Sequence, residues 1–152
     1  MMRALPLMVL LVGGLLFTVL LMRGPAVVPV EHMVGMRVDL PQLEKTVQIV
    51  NVFASWCVPC AAEMPVLKGL DLPVIGIAYN DSADKVQAFL QRTGNPYARV
   101  IVDDGKAALA LGITGVPETF LLDKNGVVRW HYPGALSETQ LAGLKQAVVQ
   151  WR

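Results

Sequence analysis

Val47-Gln-Ile-Val-Asn-Val-Phe-Ala-Ser-Trp-Cys-Val-Pro-Cys60 runs from a β-branched, apolar segment straight into a pair of cysteines. Residues 47–53 suit a strand buried on both faces, because a half-solvated strand would alternate apolar and polar positions. A short loop follows, and a helix over 57–69 is predicted to begin at the first cysteine. That junction puts Cys57 at a helix amino terminus, where unpaired amides and aligned peptide dipoles stabilise a thiolate. A lowered pKa makes Cys57 a nucleophile at neutral pH. Cys60, one turn on, is spaced to resolve a mixed disulfide by attacking it. Pro59 fits the first helical turn, which has no use for its missing N–H.

Other uses of the pair are weaker. A purely structural disulfide between cysteines three apart closes too small a loop to stabilise a domain much. A zinc site needs more ligands, and the chain's two histidines, His32 and His131, are not at a paired spacing. Covalent haem attachment needs a histidine after Cys60, where this chain has Ala61. Dithiol redox chemistry is the favoured reading, with no metal and no cofactor beyond the Cys57–Cys60 pair.

Downstream, the pattern alternates strand and helix. A strand is predicted over 73–79, and a helix over 82–92 with Val86, Phe89 and Leu90 on one face and Gly94 beyond its end. A short strand at 99–102 leads to a helix at 104–111. Strands at 119–123 and 127–132 flank Lys124-Asn125-Gly126, a hairpin turn. A final helix over 138–151 starts with a capping box from Ser137 to Gln140 and buries Leu141, Leu144, Val148 and Trp151. This order implies an α/β domain whose mixed sheet, parallel crossovers plus an antiparallel hairpin, is flanked by helices on both faces.

Upstream, residues 4–22 carry no charge between Arg3 and Arg23. At about 1.5 Å per residue they can just span a bilayer core of roughly 30 Å. A single amino-terminal transmembrane helix, a signal anchor over 1–23, is favoured over a cleaved secretory signal. The apolar run is longer than a usual signal core, and no small-x-small cleavage site follows Met22. Residues 24–46 read as a linker with a shortened edge region, in which 34–40 supply one short strand and turn, and residues 47–152 as the catalytic domain. The chain is 54% hydrophobic with net charge +1, which excludes a disordered tail and leaves no electrostatic footprint for nucleic acid. Residues 1–23 explain much of that apolar content; without them the chain has 11 basic and 12 acidic residues.

Phe53-Ala54-Ser55-Trp56-Cys57-Val58-Pro59-Cys60, with Pro65 five residues on, resembles the active-site segment of the thioredoxin fold. Ala62-Glu63-Met64-Pro65 is similar to membrane-tethered, extracytoplasmic members. Gly94-Asn95-Pro96-Tyr97, Gly112 to Thr119 and Phe120-Leu121-Leu122-Asp123 resemble the DsbE/CcmG branch that serves cytochrome c maturation. The resemblance covers about residues 47–145. It implies a thioredoxin-like fold and a thiol:disulfide oxidoreductase held in the bacterial inner membrane by a single pass, with its domain in the periplasm. Its substrate would be apocytochrome c, whose haem-binding cysteines it keeps reduced, or another haem-maturation thiol protein, and its electron donor a transmembrane thiol reductase. Two alternatives share parts of this pattern: a periplasmic reductase for other oxidised proteins, and a non-catalytic apocytochrome-binding module.

By position, the resemblance makes Cys57 the attacking and Cys60 the resolving cysteine. It makes Pro117 the cis-proline that faces the disulfide and exposes a backbone edge for an extended substrate segment. Glu63 and Glu118 match acidic residues near the active site, able to hold or relay protons or to tune cysteine pKa. The plainer alternatives are a solvated helix face for Glu63 and a surface carboxylate for Glu118. Trp56 would shield the disulfide, against partial core packing. Asn80 and Tyr97 read as structural, His131 as a core or edge residue, and Asp103-Asp104 as a turn and helix cap. Val58-Pro59 departs from the Pro-Thr pair common in this branch, and the region before the first strand is short for it.

Overall fold

β1 (Gln48–Phe53) is buried at every position and takes the middle of a five-stranded sheet, as its unbroken run of large and β-branched side chains requires. The computed structural model describes residues 33–38 and 43–152. The other strands are β2 (Val74–Tyr79), β3 (Arg99–Asp103), β4 (Glu118–Leu122) and β5 (Val128–Pro133), in the order β3-β2-β1-β4-β5. β1, β2 and β3 run parallel, while β4 is antiparallel to β1 and β5 antiparallel to β4. The helices are α1 (Val58–Lys68), α2 (Ala83–Thr93), α3 (Lys106–Ala110) and α4 (Glu138–Trp151). The mixed α/β architecture expected from the sequence is therefore present, with element boundaries close to those predicted.

Alternation along the strands sends side chains to two separate cores. Ile49 and Phe53 join Cys60, Met64 and Leu67 of α1, Phe89 of α2 and Leu144 of α4 on one face. Val50 and Val52 join Ile75, Ile77, Phe120 and Leu122 on the other, under Ala107, Ala108 and Leu111 at α3. α3 is shorter than the sequence suggests. Gly105 takes a left-handed φ of 103° just before it, and the Asp103 carboxylate caps it by accepting from the Ala107 and Ala108 amides at 2.9 and 3.1 Å.

Residues 33–38 complete the second core. Met33 and Val38 are buried in it, and Arg37 bridges Val127 in antiparallel fashion. The Gly35 amide donates to Val128 O at 2.7 Å, and the Val128 amide to Met36 O at 2.8 Å. The turn expected over 34–40 is present, the expected strand is reduced to the single bridge at Arg37, and residues 39 and 40 lie outside the described residues. The anchor expected over 1–23 and residues 24–32 lie outside the described residues. Among those described, no helix is long and apolar enough to cross a membrane.

Gly76 shows how the sheet makes room for the site. It sits in β2 beside Asn51 of β1, and a Cβ there would lie 2.8 Å from the Tyr97 ring and 3.0 Å from Phe53. The missing side chain lets Tyr97 stack on Phe53, ring centroids 4.7 Å apart, and sink toward the sheet.

Candidate active site

The turn from β1 into α1 carries the cysteines. Cys57 is the N-cap of α1, Pro59 lies in its first turn, and the two sulfurs form a disulfide. The Cys60 amide donates to Cys57 Sγ at 3.2 Å, so a helix-terminal N–H is aimed at the sulfur that becomes a thiolate on reduction. Cys57 is 6% exposed and Cys60 wholly buried, which leaves Cys57 as the sulfur an incoming group can reach. Trp56 and Val58 flank it as exposed apolar side chains; Trp56, 58% exposed, stands out from the surface instead of packing into the core. Pro65 lies inside α1, which continues to Lys68.

The active-site loop is tied to the neighbouring strand end. Ser55 donates its amide to Asp81 Oδ2 at 2.6 Å and its hydroxyl to Asp81 Oδ1 at 3.0 Å. Asn80, just before, has a left-handed φ of 47°, a conformation asparagine tolerates better than most residues.

Glu63 lies one turn beyond Cys60 on the buried side of α1, 1% exposed, so the solvated-face alternative does not hold. Its Oε1 accepts from Asn51 Nδ2 at 3.0 Å and its Oε2 from the Leu136 amide at 2.9 Å. Burial pushes its carboxyl up to about 7, and those two donors only partly oppose the rise. Asn51 is itself held: Tyr97 donates its hydroxyl to Asn51 Oδ1 at 2.7 Å, and Asn51 Nδ2 also donates to Thr119 Oγ1 at 3.0 Å. With its oxygen occupied by the tyrosine, the amide presents nitrogen to both Glu63 and Thr119. The Tyr97 phenol is pushed up by burial and by the Glu63 charge, so it stays a proton donor.

Glu118 opens β4 and is equally buried, not a surface carboxylate. Its Oε1 accepts from the Thr114 amide at 2.6 Å, the Thr114 hydroxyl at 2.8 Å and the Gly115 amide at 2.9 Å. Its Oε2 meets His131 Nε2 at 2.7 Å. Burial pushes this carboxyl up, but the His131, Thr114 and Gly115 donors outweigh it and hold the group below the ordinary carboxylate value. These donors favour the charged form of Glu118 and tie it to residues 114 and 115 on one side and to His131 on the other. Within that loop the Val116–Pro117 bond is cis, and Pro117 O accepts from the Gly134 amide at 2.8 Å.

A family model described as Redoxin matches residues 24–148. The chain belongs to the redoxin family. Among its curated relatives are thiol:disulfide interchange proteins DsbE from Xylella fastidiosa (strain Temecula1), 36% identical over 118 residues, and from Escherichia coli (strain K12), 42% identical over 93 residues. These alignments cover 74% and 59% of this chain, and the chain spans 60% and 50% of those relatives' lengths. A solved thiol:disulfide interchange protein of the thioredoxin family from Chlorobium tepidum superposes with a TM-score of 0.55 at 26% identity, covering 71% of this chain and 81% of its own. The fold is thioredoxin-like, and the resemblance to the DsbE/CcmG branch read from the sequence is met by these relatives.

This redoxin brings most of the expected residues to one end of the sheet. Cys57, Cys60 and Pro59 share the first turn of α1, Glu63 lies behind them, and Glu118 follows Pro117 directly. Sequence reasoning missed Asn51 and Asp81. Asn51 carried a visible signal, a lone polar residue inside an otherwise apolar strand, which must find partners once buried. Asp81 carried none, since its partner Ser55 is 26 residues away. His131 lies in the edge strand β5 with its side chain turned inward, within the core-or-edge expectation, and it is also a partner of Glu118. Among the described residues, no group of three or more His, Cys, Asp or Glu could hold a metal ion.

Proposed function

We propose that this redoxin is a thiol:disulfide oxidoreductase that reduces the haem-binding cysteines of apocytochrome c in the periplasm. Residues 4–22 anchor it in the inner membrane, and a transmembrane thiol reductase resupplies its electrons. The observation that carries the chemistry is the Cys57–Cys60 pair at the start of α1, with Glu63 buried one turn behind. The relatives named as DsbE proteins support the substrate class, and the uncharged run at 4–22 supports the anchor.

In the reduced protein, the Cys57 thiolate attacks one sulfur of the substrate disulfide. A Cys57–substrate bond forms, and the other substrate sulfur leaves as a thiolate that takes up a proton. Cys60 then attacks Cys57 Sγ, the Cys57–Cys60 bond closes, and the second substrate sulfur leaves. The substrate gains two electrons from the cysteine pair and two protons, one released by Cys60 and one taken from solvent, because Cys57 enters the reaction already deprotonated. Cys60 must give up its proton in a buried place, and Glu63, titrating near 7, is suited to accept it at neutral pH.

Titration of the Cys57–Cys60 couple against dithiothreitol tests the direction of electron flow. A potential well below that of strong oxidants, which lie near about −120 mV, fits a reductant; one close to that value sinks the proposal. Cys57→Ser should abolish cytochrome c maturation in cells that depend on this chain. Maturation that survives the change would mean that the protein acts only by binding.

A further inference from the structure

We propose that His131 is a positioning residue for the loop that receives substrate: through Glu118, its imidazole fixes the shape of residues 114–117. The proposal rests on the oxidoreductase reading above for the loop's use, but the clamp itself is a matter of geometry. Glu118 divides its two oxygens, Oε1 taking three donors from Thr114 and Gly115 and Oε2 taking His131 Nε2 alone. The His131 and Glu118 side chains are each 1% exposed, so no solvent is at hand to replace either partner.

The imidazole is held on its other side as well. It stands opposite Phe120 in the β4–β5 register and stacks on that ring, centroids 4.4 Å apart at 20°. Its Nδ1 is buried and meets no hydrogen-bond partner among the described residues. A proton on Nδ1 would be a buried, unpaired donor, so these partners favour the ring orientation in which Nε2–H donates to the Glu118 carboxylate. Stacking aims the donor, and the donor keeps Glu118 charged and in place. Val116 N–H and C=O, by contrast, have no partner among the described residues, which leaves them free for an extended segment to pair with.

Losing the imidazole donor strands Glu118 Oε2 in the core. The carboxyl then either takes up a proton or turns toward water, and in both cases the Thr114 and Gly115 amides lose a charged acceptor. The loop next to Val116 loosens, while Cys57 and Cys60 stay held by the first turn of α1 and the amide that points at Cys57 Sγ.

The test compares the full chain with His131→Phe, which keeps the ring but not the donor, and His131→Gln, which returns an amide N–H near the place of Nε2. His131→Asn, whose amide falls short of Glu118, stands in for the phenylalanine variant if that protein does not fold. Three quantities are read: KM and kcat for an oxidised Cys-x-x-Cys-His peptide, the Cys57–Cys60 potential, and hydrogen exchange of the Thr114 and Gly115 amides. The donor-less variant should exchange these amides faster and raise KM about tenfold, the effect of roughly one charged hydrogen bond. Its potential should not move, and His131→Gln should restore both exchange and KM. Unchanged exchange in the donor-less variant overturns the proposal. So does a loss of KM, kcat and potential together in all variants in step with falling Tm, which marks a merely structural residue. A wild-type chain that leaves the peptide oxidised refutes the oxidoreductase reading instead, while the exchange data still decide on the clamp.

Discussion

Glu63 and Glu118 are the same residue type at the same depth, each 1% exposed, yet they differ in charge behaviour. Glu63 receives two hydrogen bonds and titrates near 7, whereas Glu118 receives four and is held below the ordinary carboxylate range. Burial penalises both anions; the number of donors turned toward each oxygen decides which remains charged. The difference divides the labour of the site. The carboxyl behind the cysteines can change protonation at neutral pH, and the one beside Pro117 can act as a permanent anion that organises a loop.

The sharpest way to break the contrast is to remove the charges at pH 7. Glu118→Ala should lower the unfolding free energy by about 3–5 kcal/mol, since it leaves buried donors of Thr114 and Gly115 without their acceptor. Urea denaturation followed by circular dichroism measures this. Glu63→Gln should cost clearly less at the same pH: it removes a poorly solvated anion, which offsets part of the loss of one acceptor where its amide nitrogen faces either Asn51 Nδ2 or the Leu136 amide. Equal losses in the two variants would erase the distinction.

A pH series sharpens it. A carboxyl raised in the folded state contributes stability that is fully present below its unfolded pKa and is lost as pH rises through the folded one. For Glu63 that window runs from about 4.5 to about 7 and amounts to something on the order of 3 kcal/mol. Urea melts of the oxidised protein across this range should show the decline, and Glu63→Gln should flatten it. Glu118 contributes in the opposite sense, its stabilisation fading only as pH falls below the ordinary carboxylate value.

The smallest effect is expected from Tyr97→Phe. It costs about 1–2 kcal/mol by leaving Asn51 Oδ1 without its donor. With that restraint gone, the amide can present oxygen to Glu63, which favours the protonated acid. The pH at which Glu63 titrates, read by carbon-13 chemical shift, should therefore rise while that of Glu118 stays put.

How much of this was readable in the chain follows from sequence distance. β1 and the cysteine turn are local, so apolar patterning and helix-start rules located them together. The Lys124–Gly126 turn was likewise visible, and Asp123 secures it by accepting from the Asn125 and Val127 amides at 2.8 and 3.0 Å. The network around Glu63 was not visible, because its members come from positions 51, 63, 97, 119 and 136, joined only by sheet register and helix packing. His131 shows the same limit. Its strand was legible, but the face it takes, and hence its meeting with Glu118 thirteen residues earlier, depends on the β4–β5 register and its irregularity at Leu121/Leu122.

Gly76 carries no functional group, and its influence comes from the volume it leaves empty. Because the Tyr97 ring occupies that space, a single added methyl has to displace the ring whose hydroxyl orients Asn51. The acid–base setting of Glu63 thus depends on a position with nothing to titrate. Inherited variation in this chain could retune its redox chemistry from there while both cysteines and both glutamates stay unaltered.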